Sequence, residues 1–334
     1  MFTVARARIP LASLLSFLLT AALLPGGVAT AANDPGQPSV IVVVGAPGEE
    51  EFARSFAQWA EHWESAARKG GARCTVIGVK PGEATPDREQ LEKALAAEPK
   101  TGAELWVVLI GHGTFDGREA KFNLRSNDVS TADVAGWLQP FQRPVALLNT
   151  ASASAPFLQK LSATNRVIIT ATRSGTEVNF ARLGQYLSES VGDSRADLDK
   201  DGQTSLLEAW LMASRKVKEF YDVEGRLATE HALLDDTGDG LGTPPDWFRG
   251  VRATKAAKAG VMLDGFRAHQ FHLVRSEAEQ KLSAAARTRR DAMERSIAEL
   301  RLHKASMDEA EYYAALEKLL LELARVYEAE KSIQ

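Results

Sequence analysis

Cysteine is almost absent from this chain: Cys74 is the only one in 334 residues. A single thiol excludes an internal disulfide even in an oxidising compartment. A strong excess of one charge is also missing, since 40 Lys and Arg face 44 Asp and Glu for a formal −4. Such a mixed, mildly acidic surface gives no reason to expect nucleic acid or an anionic membrane as a partner. Proline is missing from the C-terminal end, with none after Val251. What is present is an ordinary globular composition, 45% hydrophobic and 25% charged, long enough to bury one full-sized core and carry a smaller appendage.

The N-terminus stands apart. Arg6 and Arg8 precede an apolar run from Ile9 to Leu24, and small residues follow through Ala31 and Ala32. That order reads as a signal peptide over residues 1–32, cut after Ala31 or Ala32, and an exported (periplasmic or extracellular) mature chain is expected. The run is shorter than the ~20 residues a bilayer core needs, and Pro10 and Pro25 bracket it, so a membrane anchor is the less favoured reading. No cysteine follows the run to carry a lipid, so no membrane contact is expected after cleavage. Removing a leader with two Arg and no acid takes the formal charge from −4 to −6.

From Ser39 onward, β-branched runs alternate with helical stretches. The runs are Val40–Val44, Cys74–Val79, Leu105–Ile110, Val145–Leu148 and Val167–Thr170. Continuous apolar strands are what a sheet buried on both faces requires. Helical stretches are expected at Glu49–Arg68, Asp87–Ala97, Thr131–Leu138 and Asn179–Val191. The repeated β-α pattern argues for an α/β fold over 38–250, a mostly parallel sheet with helices on both faces. Over 251–334 the strand-like runs vanish. Leu282, Ala286, Met293, Ile297 and Leu300 form one apolar stripe, and Leu316, Leu319, Leu320, Leu323 and Val326 another. Ser306 with Glu309 suggests a capping box between them, so a helical hairpin is expected, packing on the main domain or on a second copy of the chain.

Two strand ends carry candidate chemistry. The third strand runs into LIGHGTFDG, which lifts His112 off its carboxyl edge between Gly111 and Gly113, where the functional groups of open α/β sheets gather. The fourth runs into NTASAS over Asn149–Ser154, and the fifth ends in ITATRSG. In these two motifs and their strand order, Ser39 to Asp246 resembles the caspase, metacaspase and legumain group of cysteine peptidases. There a His-Gly pair follows one strand and the nucleophilic cysteine follows the next.

His112-Gly113 matches the first element, and Ala151 takes the cysteine's place. The resemblance implies a caspase-like three-layer sandwich, oxyanion donors at the Gly113 and Ala151 N–H groups, and a specificity pocket bordered by the ITATRSG strand end. Arg173, Glu177 and Asn179 are candidates to line that pocket. A methyl group cannot form an acyl bond, so a non-catalytic, pseudo-peptidase domain that binds a polypeptide or partner protein is the leading expectation. Thr150, Ser152 and Ser154 flank the vacancy, so a hydrolase pairing Ser152 or Ser154 with His112 stays open, although an extended segment would point Ser152 away from Ala151. Cys74, inside a strand, reads as a small buried hydrophobe.

Residues 197–208, DLDKDGQTSLLE, match the EF-hand calcium loop. Asp197, Asp199, Asp201, Ser205 and Glu208 fall at positions 1, 3, 5, 9 and 12, Gly202 makes the turn, and Gln203 offers its carbonyl. Gly192 and Ser194 make a poor entering helix, whereas Leu206–Tyr221 makes a good exiting one, so a structural Ca²⁺ of modest affinity is expected. A purely structural calcium-binding protein is therefore a third reading. A second acidic turn, Asp235–Gly240, has part of the spacing, with Asp246 at position 12 after two prolines, and a plain Asx/Gly turn is the alternative. Gly45–Gly48 lacks the Gly-Lys-Ser/Thr ending of a phosphate loop and runs into Glu49, Glu50 and Glu51, so no nucleotide is expected. His269 and His272 have no third ligand nearby in sequence and read as a polar helix face.

Overall fold

The computed structural model of the chain describes residues 1–3, 33–80, 82, 84–258 and 262–331. The leader expected over 1–32 therefore lies, beyond Thr3, outside the described residues. No described helix is long and apolar enough to cross a membrane.

The chain begins its β-α alternation with β1 (Ser39–Val44), α1 (Glu50–Lys69), β2 (Arg73–Ile77), α2 (Asp87–Ala97) and β3 (Leu105–Ile110). A small antiparallel sheet interrupts it: β4 (Gly113–Phe115), β5 (Ala120–Phe122) and β6 (Val129–Ser130). The alternation resumes with α3 (Thr131–Leu138), β7 (Val145–Asn149), α4 (Ala155–Leu161), β8 (Arg166–Thr170), α5 (Leu183–Ser190), α6 (Leu206–Val223) and β9 (Leu233–Asp235). After a two-strand ribbon, β10 (Phe248–Arg249) and β11 (Arg252–Ala253), come the helices α7 (Phe266–Gln270), α8 (Glu277–Lys281), α9 (Ala284–His303) and α10 (Glu309–Lys331).

The main sheet has the order β2-β1-β3-β7-β8-β9, parallel except for β9. This is the α/β architecture expected from the apolar runs, with a helical region at the C-terminus. Each strand feeds two cores because side chains alternate across the pleat. Val42, Val108, Ile110, Ala146 and Leu148 pack with Phe56, Trp59, Trp63 and Trp210 on the α1, α5 and α6 face. Val43, Val107, Leu109, Val145 and Leu147 pack with Leu91, Leu95, Leu138 and Phe157 on the α2, α3 and α4 face. Burying one such aliphatic side chain contributes about 1.5–3 kcal/mol, so two full cores explain why the central strands β1, β3, β7 and β8 are apolar in their interiors.

Three boundaries differ from expectation. β2 stops at Ile77 because Gly78 turns with φ 91, where an added Cβ would meet the Val44 carbonyl oxygen at 2.0 Å. The helix expected from Asn179 starts at Leu183, leaving Phe180 in the preceding loop. The α9–α10 break is capped by Asp308, whose Oδ1 accepts from Ala310 N at 2.9 Å, while the Ser306 hydroxyl donates back to the His303 carbonyl at 2.9 Å.

Candidate functional site

The strand order reverses at β1: the chain moves outward to β2 and then returns to β3 on the other side. Beyond the carboxyl ends of β1 and β3 lies this switch point, the place where α/β sheets hold their ligands. His112 stands in it. Its Nε2 lies 3.3 Å from the Pro47 carbonyl oxygen on the loop after β1. A carbonyl can only accept, so Nε2 carries the proton and Nδ1 keeps its lone pair. The ring sits among Phe52, Phe56 and Phe180, at centroid distances of 5.0, 5.4 and 5.9 Å. Burial in this aromatic setting pushes the imidazole pKa below its ordinary value, against the opposing pull of the Pro47 carbonyl. At neutral pH His112 is an uncharged base.

The pleat decides which neighbour this base can see. On β7, Val145 and Leu147 point to the α2 and α3 face, and Ala151 continues that parity: its methyl lies in the same core as Phe157 and Leu158, fully buried. His112 packs on Phe52 and Phe56 of α1, on the other face. The expectation that Ala151 faces the imidazole across a shared crevice is therefore corrected. Its place in the core with Phe157 and Leu158 puts the methyl on the α4 side of the sheet.

The residue that reaches the His-Gly turn is Ser152. Its hydroxyl accepts from Gly113 N at 3.1 Å and donates to the Gly113 carbonyl at 3.1 Å, and the residue is only 3% exposed. Gly113 has to be glycine here, because an added Cβ would lie 2.3 Å from the Ser152 carbonyl oxygen.

The two N–H groups expected to hold an oxyanion are both engaged: Gly113 N by Ser152 Oγ, and Ala151 N by Asn149 Oδ1 at 3.1 Å. Ser154 is tied elsewhere, accepting from Ala171 N at 3.0 Å and Thr172 N at 3.2 Å at the end of β8. Thr150 donates to the Leu109 carbonyl at 2.8 Å. Between the two serines, Ala153 adopts φ 51, a left-handed conformation uncommon for a residue with a Cβ, while its N–H donates to the Glu177 carbonyl at 2.8 Å.

At the rim, Glu177 is a hub. Its carboxylate accepts from Arg173 N at 3.0 Å and lies 2.6 Å from His231 Nδ1. Val178 and Asn179 are exposed beside it. One functional group went unread in the sequence, Glu230. Buried at 3% exposure, it accepts from Arg182 N at 2.8 Å, Leu183 N at 3.1 Å and the Tyr221 hydroxyl at 3.3 Å, and burial pushes its pKa up to about 7. Cys74 on β2 is half-buried, and burial with Glu64 nearby raises its thiol pKa to about 11, so it offers no thiolate.

The acidic loop leads into α6. A single 3₁₀ turn, Ser194–Ala196, stands where an entering helix would, and Ser205 and Glu208 form a capping box on α6. Lys200 with φ 65 and Gly202 with φ 90 wrap the loop. One oxygen from each of Asp197, Asp199 and Asp201 lies within 4.8 Å of the others. That spacing fits carboxylates around one hard cation.

Glu208 is fully buried, and its oxygens accept from Leu198 N at 2.7 Å and Ser205 N at 2.8 Å. Gln203 hydrogen-bonds Asp201 and accepts from Ser276 N at 3.1 Å. Distance along the chain hid one neighbour: His269 on α7 brings Nε2 to 3.0 Å from Asp199 Oδ2, and one ligand atom from each of His269, Asp199 and Glu208 lies within 4.8 Å of the others. His272, buried, has no partner for Nε2 among the described residues, and burial depresses its pKa to about 4.

The second acidic turn is a hydrogen-bonded Asx turn. Asp235 Oδ1 accepts from Gly238 N at 3.0 Å and Oδ2 from Gly240 N at 3.1 Å, whereas Asp246 lies exposed on a 3₁₀ turn. Among the described residues no candidate metal group includes either.

No family model matches the chain, and no curated protein does. Among solved structures it is similar to the Drosophila initiator caspase Dronc, at 11% identity and a TM-score of 0.37 over 61% of this chain and 81% of that one. It is likewise similar to caspase-1 from Spodoptera frugiperda, at 11% identity and a TM-score of 0.38 over 62% of this chain and 88% of that one. Likeness of this degree carries no inference about chemistry, and the architecture stands on the strand order and register above.

Proposed function

We propose that this is a non-catalytic, exported, calcium-stabilised protein whose switch-point crevice holds a polypeptide segment. The reciprocal pair of hydrogen bonds between Ser152 and Gly113 carries this reading. It directs the serine proton to a backbone carbonyl instead of an imidazole, and fills the N–H that would stabilise an oxyanion. A base without an activated nucleophile leaves binding as the use of the crevice. Phe52, Phe180 and exposed Val178 supply apolar contact, and Arg173 and Asn179 supply polar contact at the rim. The loop Asp197–Glu208 supports calcium, with Asp197, Asp199, Asp201, the Gln203 carbonyl, Ser205 and Glu208 as ligands once Glu208 turns from its capping bonds. Exposed Tyr313, Leu320 and Leu321 on α10 support self-association through the C-terminal helices. Screening the purified protein against an immobilised peptide library tests the binding function. Saturable retention of intact peptides, weakened by Val178→Asp and kept in Ser152→Ala, is the expected result; peptide cleavage, or no retention, refutes it.

A second reading, a serine hydrolase, is favoured by two observations. Ser152 bonds the residue next to His112, and Ala153 beyond it is held at φ 51, the kind of strain that collects at functional sites. Fluorophosphonate labelling lost in both Ser152→Ala and His112→Ala would establish it. Absence of labelling removes it.

A further inference from the structure

Opposite the His112 crevice, at the amino ends of the strands, lies a cavity of about 750 Å³. Its floor includes Gly36, Gly102 and Pro144, which precede β1, β3 and β7, and its roof is α7 and α9. Most of its arginines are already spoken for. Arg275 pairs with Glu104 at 2.6 Å, and Arg290 with Glu279 at 2.5 Å and Asp291 at 2.7 Å. Arg287 donates to the carbonyl oxygens of Glu279 at 3.2 Å and Leu282 at 2.5 Å.

Two cations remain. Arg267 on α7 and Arg295 on α9 line this cavity and also a neighbouring one of about 320 Å³, so they stand together in the wall between the two. Neither has a carboxylate within ion-pairing distance among the described residues, and Nε of Arg267 is buried without an acceptor. Burial and the charge of Arg295 both lower the Arg267 pKa, while Asp236 acts against them. Asp236 is not within ion-pairing distance of either arginine, and its oxygens accept from Gly265 N at 3.0 Å and Ala268 N at 2.8 Å. Nor is Asp239, which accepts from Leu241 N at 2.8 Å, and Glu299, one turn beyond Arg295, is exposed and unpaired with it.

Two partly buried guanidiniums lining the same wall without a carboxylate partner, one with an orphaned donor, are unfavourable by themselves and favourable around an anion. We propose that Arg267 and Arg295 bind a phosphate group, with the body of a phosphorylated small molecule in the larger cavity. A carboxylate has two oxygens and one charge, enough to saturate one guanidinium fork. A phosphate dianion has the oxygens and the charge to take both. The site is independent of the crevice, so its failure leaves the polypeptide-binding reading untouched.

Calorimetric titration of the full chain with inorganic phosphate tests it, with acetate at equal ionic strength as the carboxylate arm. One saturable site for phosphate and none for acetate is expected. Arg295→Gln loses two charge-assisted hydrogen bonds and with them about tenfold or more in affinity. In phosphate-free buffer the same variant unfolds at a higher temperature than the parent chain, because a repulsion has been removed. That second readout keeps a weakened variant from being confused with a misfolded one. The proposal is overturned if phosphate binds no better than acetate, if Arg295→Gln binds phosphate as the parent does, or if it melts lower without phosphate.

Discussion

Replacing Ser152 by alanine removes one oxygen and leaves both polar groups of Gly113 without the partner they share. The Gly113 N–H and carbonyl each bond the Ser152 hydroxyl at 3.1 Å, in a site where the serine is 3% exposed. A buried donor or acceptor stripped of its partner costs about 1–3 kcal/mol, and two together, with partial relaxation of the turn, about 2–4 kcal/mol. The missing oxygen leaves too little space for a replacement water. Urea unfolding followed by tryptophan fluorescence measures the loss as a lower midpoint at unchanged slope. A serine aimed at His112 would behave differently: its removal would leave both polar groups of Gly113 as they were, the stability loss would fall below about 2 kcal/mol, and the His112 titration would move. Observing that pattern would refute the reciprocal Ser152–Gly113 arrangement and, with it, the case against catalysis.

Ala151→Cys and Ser152→Cys separate the two faces of the sheet: the first thiol enters the α4-side core and stays unreactive to iodoacetamide at pH 7, while the second, on the His112 side, alkylates measurably faster. Calcium at ten times its dissociation constant stabilises the fold by about 1.4 kcal/mol, seen as a melting shift that chelator reverses and that Asp199→Asn with Glu208→Gln abolishes. Glu230 gives a pH test. Its folded pKa of about 7 lies above the ordinary 4.5, so the folded state binds the extra proton, and the stability it contributes is present below pH 4.5 and lost as pH rises through 7. Glu230→Gln should match the parent near pH 4 and exceed it by up to about 3 kcal/mol at pH 8, in urea unfolding at each pH.

The five parallel strands were legible because a strand buried on both faces must be apolar throughout, and Leu105–Ile110 or Val145–Leu148 has no other reading in this context. His112 was legible because Gly111 and Gly113 flank it at a strand end. The face of Ala151 was not legible. Matching a run of small residues fixes their order but not their parity, and an error of one residue moves a side chain through the sheet. Counting from β7, which runs to Asn149, places Ser152 on the His112 side. Glu230 and the pair Arg267 and Arg295 gave no signal because their meaning depends on burial and on neighbours far along the chain. His269 was set aside for want of a third ligand; its neighbours Asp199 and Glu208 are brought to it by tertiary folding.

The acidic loop and the surroundings of His112 are joined by one helix. Glu208 buries its carboxylate at the start of α6, where Ser205 caps it, so an ion held by the loop would fix that end. Near the other end, the Tyr221 hydroxyl reaches Glu230, and Glu230 receives the backbone N–H groups of Arg182 and Leu183 where α5 begins. Arg182 lies over the Phe220 ring at 3.8 Å, and Phe180, two residues before it, packs on the His112 ring. Each contact is short-range, and the helix between them is a rigid element. α6 also packs directly on α5, with Leu183, Leu187, Leu207, Trp210 and Ala213 in one core. The aromatic wall of the crevice therefore takes its position from a helix whose first turn belongs to the acidic loop.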